Sequence, residues 1–251
     1  EASVIQSLSS NDRAMVDQRG NGNAAEVVQN YSARSVAEVE QVGNLNEASV
    51  SQTGTNHEAY TYSGGDNDNL NVDQRGSYQN AFVYQQGNEN GADVTQRGNG
   101  NTANTNQNGF GNVAAIDQDG RHQVATVGQH GNYNDATVDQ QGNNNELTFT
   151  QSGILNTLSA VQEGEGNRIT GSSSIAGNDV DIVQDGDFNL ADVNQNGANH
   201  EATLSQSGEN HLATVTQNGA GHEALVVQSG MGNNALISQA GMNNMAVVTQ
   251  H

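Results

Sequence analysis

The chain has 251 residues, 33% of them apolar and only 4% aromatic, with no Trp, Pro or Cys. That is poor material for a broad globular core, and the absence of Cys excludes disulfides, thiolate metal sites and cysteine nucleophiles. With 28 acidic against 7 basic residues, a formal net charge of −21 argues against nucleic acid or an anionic membrane surface as a partner.

From Glu1 onward one phrase, Ala-x-Val-x-Gln-x-Gly-x-x-Asn-x, recurs about every eleven residues, giving 23 arms in a single repeat domain spanning 1–251. A fixed short period marks a repeat architecture. The first arm (Ala2, Val4, Gln6) lacks the usual Gly, carrying Leu8 instead, and an extra residue near Asn11 to Arg13 lengthens its connection. Residues 1–12 are therefore expected to be less ordered than the rest, or to fill half a coil in a neighbouring molecule. A second extra residue lies near Arg34 to Val36. The chain begins within the repeat, with no signal peptide or apolar run of bilayer length evident.

Within each arm Ala, Val and Gln are two residues apart, so in a strand they share one face. In 135–145 that face is Ala136, Val138 and Gln140, with Thr137, Asp139 and Gln141 opposite. Five residues of strand are then followed by Gly and Asn, which close tight turns. Two arms make a strand-turn-strand-turn coil, and about eleven coils stack at roughly 4.8 Å, a rod of about 50 to 55 Å. The expected fold is all-β: a β-solenoid with the cross-β geometry of a fibre subunit.

An inward amide without partners costs about 1 to 3 kcal/mol. Stacking removes the problem, because each Gln can bond the Gln one coil away. The residues expected in such ladders, one per strand column, are Gln18, Gln41, Gln52, Gln74, Gln96, Gln118, Gln140, Gln162, Gln184, Gln206, Gln228 and Gln250. Turn positions are expected at Gly98, Asn101, Gly131, Asn134, Gly142, Asn145, Gly230 and Asn233, with the turn Asn laddering in the same way. The end strands of a fibre-forming stack would carry Ala2, Val4 and Gln6 at one end and Ala246, Val248 and Gln250 at the other. Two arms depart from the phrase: 58–68 has Thr61 and Ser63, and 168–178 has Gly171, Ser173 and Ile175. Both are expected to be weak rungs.

Few residues suggest chemistry. His57, His200, His211 and His222 replace the turn Asn; the last three lie in consecutive arms, so His200 and His222 stack on one edge and His211 on the other. They read as stand-ins for Asn at solvated turns, with a divalent metal bridging His200 and His222 as the alternative. Asp117 and Asp139 fall one coil apart on the outer face, but nothing builds a cleft around them for glycoside hydrolysis. Gly64 to Asp68 is similar to a calcium-binding repeat turn but occurs once. No catalytic, cofactor or metal residue is assigned. Tyr60 and Tyr62 should stack under Phe82 and Tyr84 on the outer face, an unusual cluster in a chain with ten aromatics. Leu225 with Val247, and Val161 with Val183, give outward aliphatic pairs; these and the aromatics are either lateral contacts or strand-favouring surface.

The phrase Gln-x-Gly-x-x-Asn-x-Ala, as in Gln129-His130-Gly131-Asn132-Tyr133-Asn134-Asp135-Ala136, resembles the curlin repeat of curli fibre subunits, over essentially the whole chain. The resemblance implies a secreted, non-enzymatic subunit that polymerises with itself head to tail outside a bacterial cell, forming an amyloid fibre for biofilm matrix and adhesion. It also implies a minor curlin nucleator and a dedicated outer-membrane secretion pore as partners. The competing expectation is a monomeric β-solenoid binding protein of adhesin or ice-binding type. Against it, the arms at both ends keep the repeat phrase, whereas monomeric solenoids need altered capping coils.

Overall fold

The computed structural model describes residues 1–251. The alternation of small apolar and polar residues folds as 23 strands with no helix. The odd-numbered strands, from β1 (Ala2–Ser7) to β23 (Met245–Gln250), form one parallel sheet of 12, and the even-numbered strands, from β2 (Arg13–Arg19) to β22 (Asn234–Met242), form another of 11. Successive arms therefore alternate between the sheets. The result is a β-solenoid of about eleven turns.

Register is kept rung by rung. Between β11 (Val113–Arg121) and β13 (Asp135–Asn143), Ala114 pairs with Ala136, Ile116 with Val138, Gln118 with Gln140 and Gly120 with Gly142. Because side chains alternate faces, a slip of one residue would turn every inward set out to solvent. The interior is a narrow column of 37 buried apolar residues, dominated by the Ala and Val positions of the phrase. Burying a Val-sized side chain contributes about 1.5–3 kcal/mol, so the fold gains a little from every rung rather than much from one core.

The strands are longer than the five residues expected. From β4 (Val36–Asn44) to β22 all run nine of the eleven residues in an arm, continuing through the Gly position. That Gly is a bend inside a paired strand. Gly142 has φ +106°, and a Cβ there would lie 2.2 Å from the carbonyl oxygen of Gly164 on the next rung. The reversal proper falls on the two residues after the strand. The first takes left-handed backbone, as at Asn144 (φ 55°) and, unusually for large apolar residues, Leu45 (φ 59°) and Leu155 (φ 57°). The first arm is not left aside: β1 pairs with β3 (Ala24–Asn30), Ala2 opposite Ala25 and Gln6 opposite Gln29, although its side chains stay exposed.

Candidate functional site: the polar ladders

The inward Gln residues form two columns. In the odd sheet the column is unbroken, and each Nε2 donates to the Oε1 of the next rung: Gln74 to Gln96 at 3.0 Å, Gln96 to Gln118, Gln118 to Gln140 and Gln140 to Gln162 at 2.8 Å. Of the expected ladder, Gln52 to Gln250 lie in this column together with Gln6 and Gln29, while Gln18 and Gln41 belong to the even sheet. The expected set therefore mixed two columns: Gln41 and Gln52 are half a coil apart, in facing strands.

Ladder partners are not the whole of amide satisfaction. The second Nε2 hydrogen reaches a backbone carbonyl in the facing sheet, Gln118 to Thr102 at 3.0 Å and Gln140 to Val124 at 3.0 Å. One side chain thus links rungs along the axis and the two sheets across it. Where Ser replaces Gln, the Ser hydroxyl donates to the next Gln, Ser63 to Gln85 at 3.3 Å and Ser173 to Gln195 at 3.1 Å. Below Ser173, Gln151 turns its freed donor to the Asn156 carbonyl at 3.1 Å.

The turn Asn residues Asn101, Asn134 and Asn145 are buried and Asn233 is half-buried, and they do more than pair amide to amide. The Oδ1 of Asn145 accepts the backbone N–H of Asn167 at 3.0 Å, while its Nδ2 donates to the carbonyls of Gln141 (2.9 Å) and Gly164 (3.2 Å). Asn101 and Asn134 accept the N–H of Gln123 and Asn156 in the same way, at 3.1 Å each. Asn233 donates to the Ser229 carbonyl at 2.7 Å. Each edge of the solenoid thus carries a ladder in which a side-chain acceptor caps the backbone N–H of the rung above. In the first arm Asp12, not Asn11, holds this position and accepts from Ser35 N–H at 2.8 Å; the inserted residue shifts the register.

The four His residues occupy these positions and are not solvated, which corrects the sequence reading. His57, His200, His211 and His222 are at most 1% exposed. Imidazole reproduces the Asn geometry: Nδ1 of His222 accepts the N–H of Asn244 at 3.1 Å and its Nε2 faces the Asn218 carbonyl at 3.0 Å. His211 does the same with Asn233 N–H (3.2 Å) and the Ser207 carbonyl (3.1 Å). His200 and His222 stack at 5.0 Å with planes 5° apart, and Nδ1 of His200 accepts the N–H of His222 at 3.2 Å. With both Nδ1 atoms used for backbone capping, the pair has no free lone pairs to bridge a metal, and no cluster of three or more His, Asp or Glu with metal-binding geometry forms. Burial holds His57 and His200 below the usual histidine pKa, so the neutral, accepting form is favoured.

The carboxylates are likewise structural. Asp68 accepts the Asn90 N–H at 2.9 Å in an edge ladder, and Asp66 accepts the Asn44 N–H at 2.8 Å, so the Gly64 to Asp68 turn directs these carboxylates to backbone donors. Asp117 and Asp139 are paired in register on an open face; burial raises the Asp117 pKa, opposed by Arg97 at 3.6 Å. The outward aromatics stack as expected, Tyr60 with Phe82 at 5.4 Å and Tyr62 with Tyr84 at 4.8 Å. Leu225 and Val247 are paired in register, as are Val161 and Val183.

This geometry, short identical rungs locked by in-register polar ladders, defines a β-solenoid repeat protein of structural type. The curlin associated repeat matches residues 33–60, 65–98, 98–131, 124–153, 176–208, 201–230, 208–239 and 223–251. The matches extend over well more than half of the sequence, and the chain belongs to the curlin repeat family. They leave out 1–32, 61–64 and 154–175; the last two contain Ser63 and Ser173, where Ser interrupts the Gln column. No curated protein matches the chain. No helix is long and apolar enough to cross a membrane.

Proposed function

We propose that the chain is a self-assembling structural subunit of an extracellular, curli-type amyloid fibre on a bacterial surface, serving matrix cohesion and attachment. The observation that carries this reading is the polarity of the ladders. In the Gln columns each Nε2 donates toward the C-terminal end of the stack and each Oε1 accepts from the N-terminal side, while the edge Asn Oδ1 acceptors take N–H groups from the rung on the C-terminal side. A stack of such rungs is complementary to a second copy placed end to end, and cross-β association needs no further recognition. In this reading the partner is a second copy, the fibre is started by a minor curlin subunit, and the chain leaves the cell through an outer-membrane pore. The Gln columns and the strands with Ala2, Val4, Gln6 and Ala246, Val248, Gln250 carry the assembly.

Electron microscopy and fibre diffraction of purified protein test it. Unbranched fibres with a reflection near 4.7–4.8 Å along the axis are expected. Protein that stays monodisperse at high concentration over days would instead favour the monomeric solenoid.

A further inference from the structure

On the outer face of the even sheet, two aromatic pairs stand side by side. Tyr60 in β6 (Glu58–Asp66) stacks on Phe82 in β8 (Asn80–Asn88), and Tyr62 on Tyr84, with planes 6° and 9° from parallel. They border an open groove of about 630 Å³ that runs along the stack, from Glu38 and Glu40 on β4 to Thr150 on β14 (Glu146–Ile154). Beyond β8 the aromatic walls stop. The next rungs present Asn104 and Asn106, then Thr126 and Gly128. Phe82 and Tyr84 remain 40% and 39% exposed.

We propose that this groove binds an extended, uncharged β-linked glycan lying parallel to the solenoid axis. The groove is straight and crosses six rungs at about 4.8 Å each, so a linear polymer of rings can meet one rung after another. Aromatic walls suit the C–H faces of pyranose rings. Glu40, Asn106 and Thr150 supply the mixture of acceptors and donors that hydroxyls require. Charge selects among glycans. Glu38, 3.5 Å from Arg13, and Glu40 are the carboxyl groups lining the groove, and the chain carries −21 overall, so acidic polymers are repelled while hydroxyl donors are accepted. The sheet holds these groups in place before binding, which lowers the ordering cost. The proposal goes beyond the fibre reading and does not depend on it, because the groove lies on the side of the solenoid.

Equilibrium dialysis of the full chain against radiolabelled cellohexaose tests this whether the protein is assembled or not. Saturable binding is expected, with none for an oligogalacturonate hexamer. The Phe82→Ala/Tyr84→Ala variant should bind about ten-fold more weakly. Gly128→Tyr should also weaken binding by filling the groove while keeping both rings; a Cβ there meets Thr150 at an ordinary 3.5 Å, so the fold accepts it. Thr137→Ala/Asp139→Asn, on the opposite sheet, should bind normally. Absence of saturable binding, equal affinity in the groove variants, or equal binding of the acidic hexamer would overturn the proposal.

Discussion

Phe149 in β14 fills the space that Gly171, its partner in β16 (Arg168–Ala176), leaves empty where other arms carry Val. A Cβ on Gly171 would lie 2.8 Å from the Phe149 ring and 2.1 Å from the Val193 carbonyl oxygen. Phe149 is 1% exposed. The rung that looked weak from its sequence is thus packed by a large residue against a small one. Phe149→Ala is expected to cost about 3–5 kcal/mol by opening a cavity, and Gly171→Val about 1–3 kcal/mol or more by overpacking. Phe149→Val should not rescue Gly171→Val, since the contact with the Val193 carbonyl remains. Urea unfolding of the three variants checks this.

Replacing Gln118 and Gln140 with Leu breaks three consecutive ladder bonds, from Gln96 to Gln162, and strips the carbonyls of Thr102 and Val124 of their side-chain donors. The expected loss is about 1–3 kcal/mol for each polar group left buried and unpaired. Outward Thr137→Ala and Asp139→Asn should stay within about 0.5 kcal/mol. Assembly rate and unfolding midpoint, compared across both sets, separate the inner face from the outer. Equal responses would refute the assignment.

The His rungs predict acid sensitivity. Burial lowers the pKa of His57 and His200 from the ordinary 6.5, so the unfolded chain takes up more protons as pH falls. Their stabilising contribution is complete above 6.5 and is lost progressively below it. Protonation also deprives Nδ1 of the lone pair that accepts Gln79 N–H and His222 N–H. Asp68 works in the opposite sense: burial raises its pKa from 3.8, so the folded state regains stability as pH approaches that range. His57→Asn/His200→Asn should therefore flatten the stability profile between pH 7 and 5 without changing its value at pH 8 by much. Thermal melts across pH read this directly.

The bend Gly and the turn Gly differ in what they tolerate. At Gly98 (φ +108°) a Cβ would stand 2.0 Å from the Gly120 carbonyl oxygen, so Gly98→Ala is expected to cost roughly 3 kcal/mol or more. Gly232 (φ +69°) sits at the left-handed turn position that Asn144 and Asn199 occupy in other arms, and a Cβ there would meet nothing within 4 Å. Gly232→Asn should change stability by less than about 1 kcal/mol. A similar loss in both would show that φ alone, rather than rung-to-rung contact, dictates the bend.

The strand periodicity, the inward Ala, Val and Gln, the two alternating sheets and the His200–His222 stack could all be read from the sequence. Side-chain alternation is a local property, and a repeat of eleven residues places like residues one coil apart by translation alone. The stack was needed to decide the rest. Which column holds Gln41 and Gln52 depends on the sheet each strand joins, and the bond from Gln140 to Val124 depends on how closely the sheets face one another. The bend at Gly142 comes from the carbonyl of Gly164 one rung away. The turn Asn and His residues read as solvated because Asn and His are commonly exposed. They are buried because each backbone N–H at the edge needs an acceptor, and only the rung below can place one there.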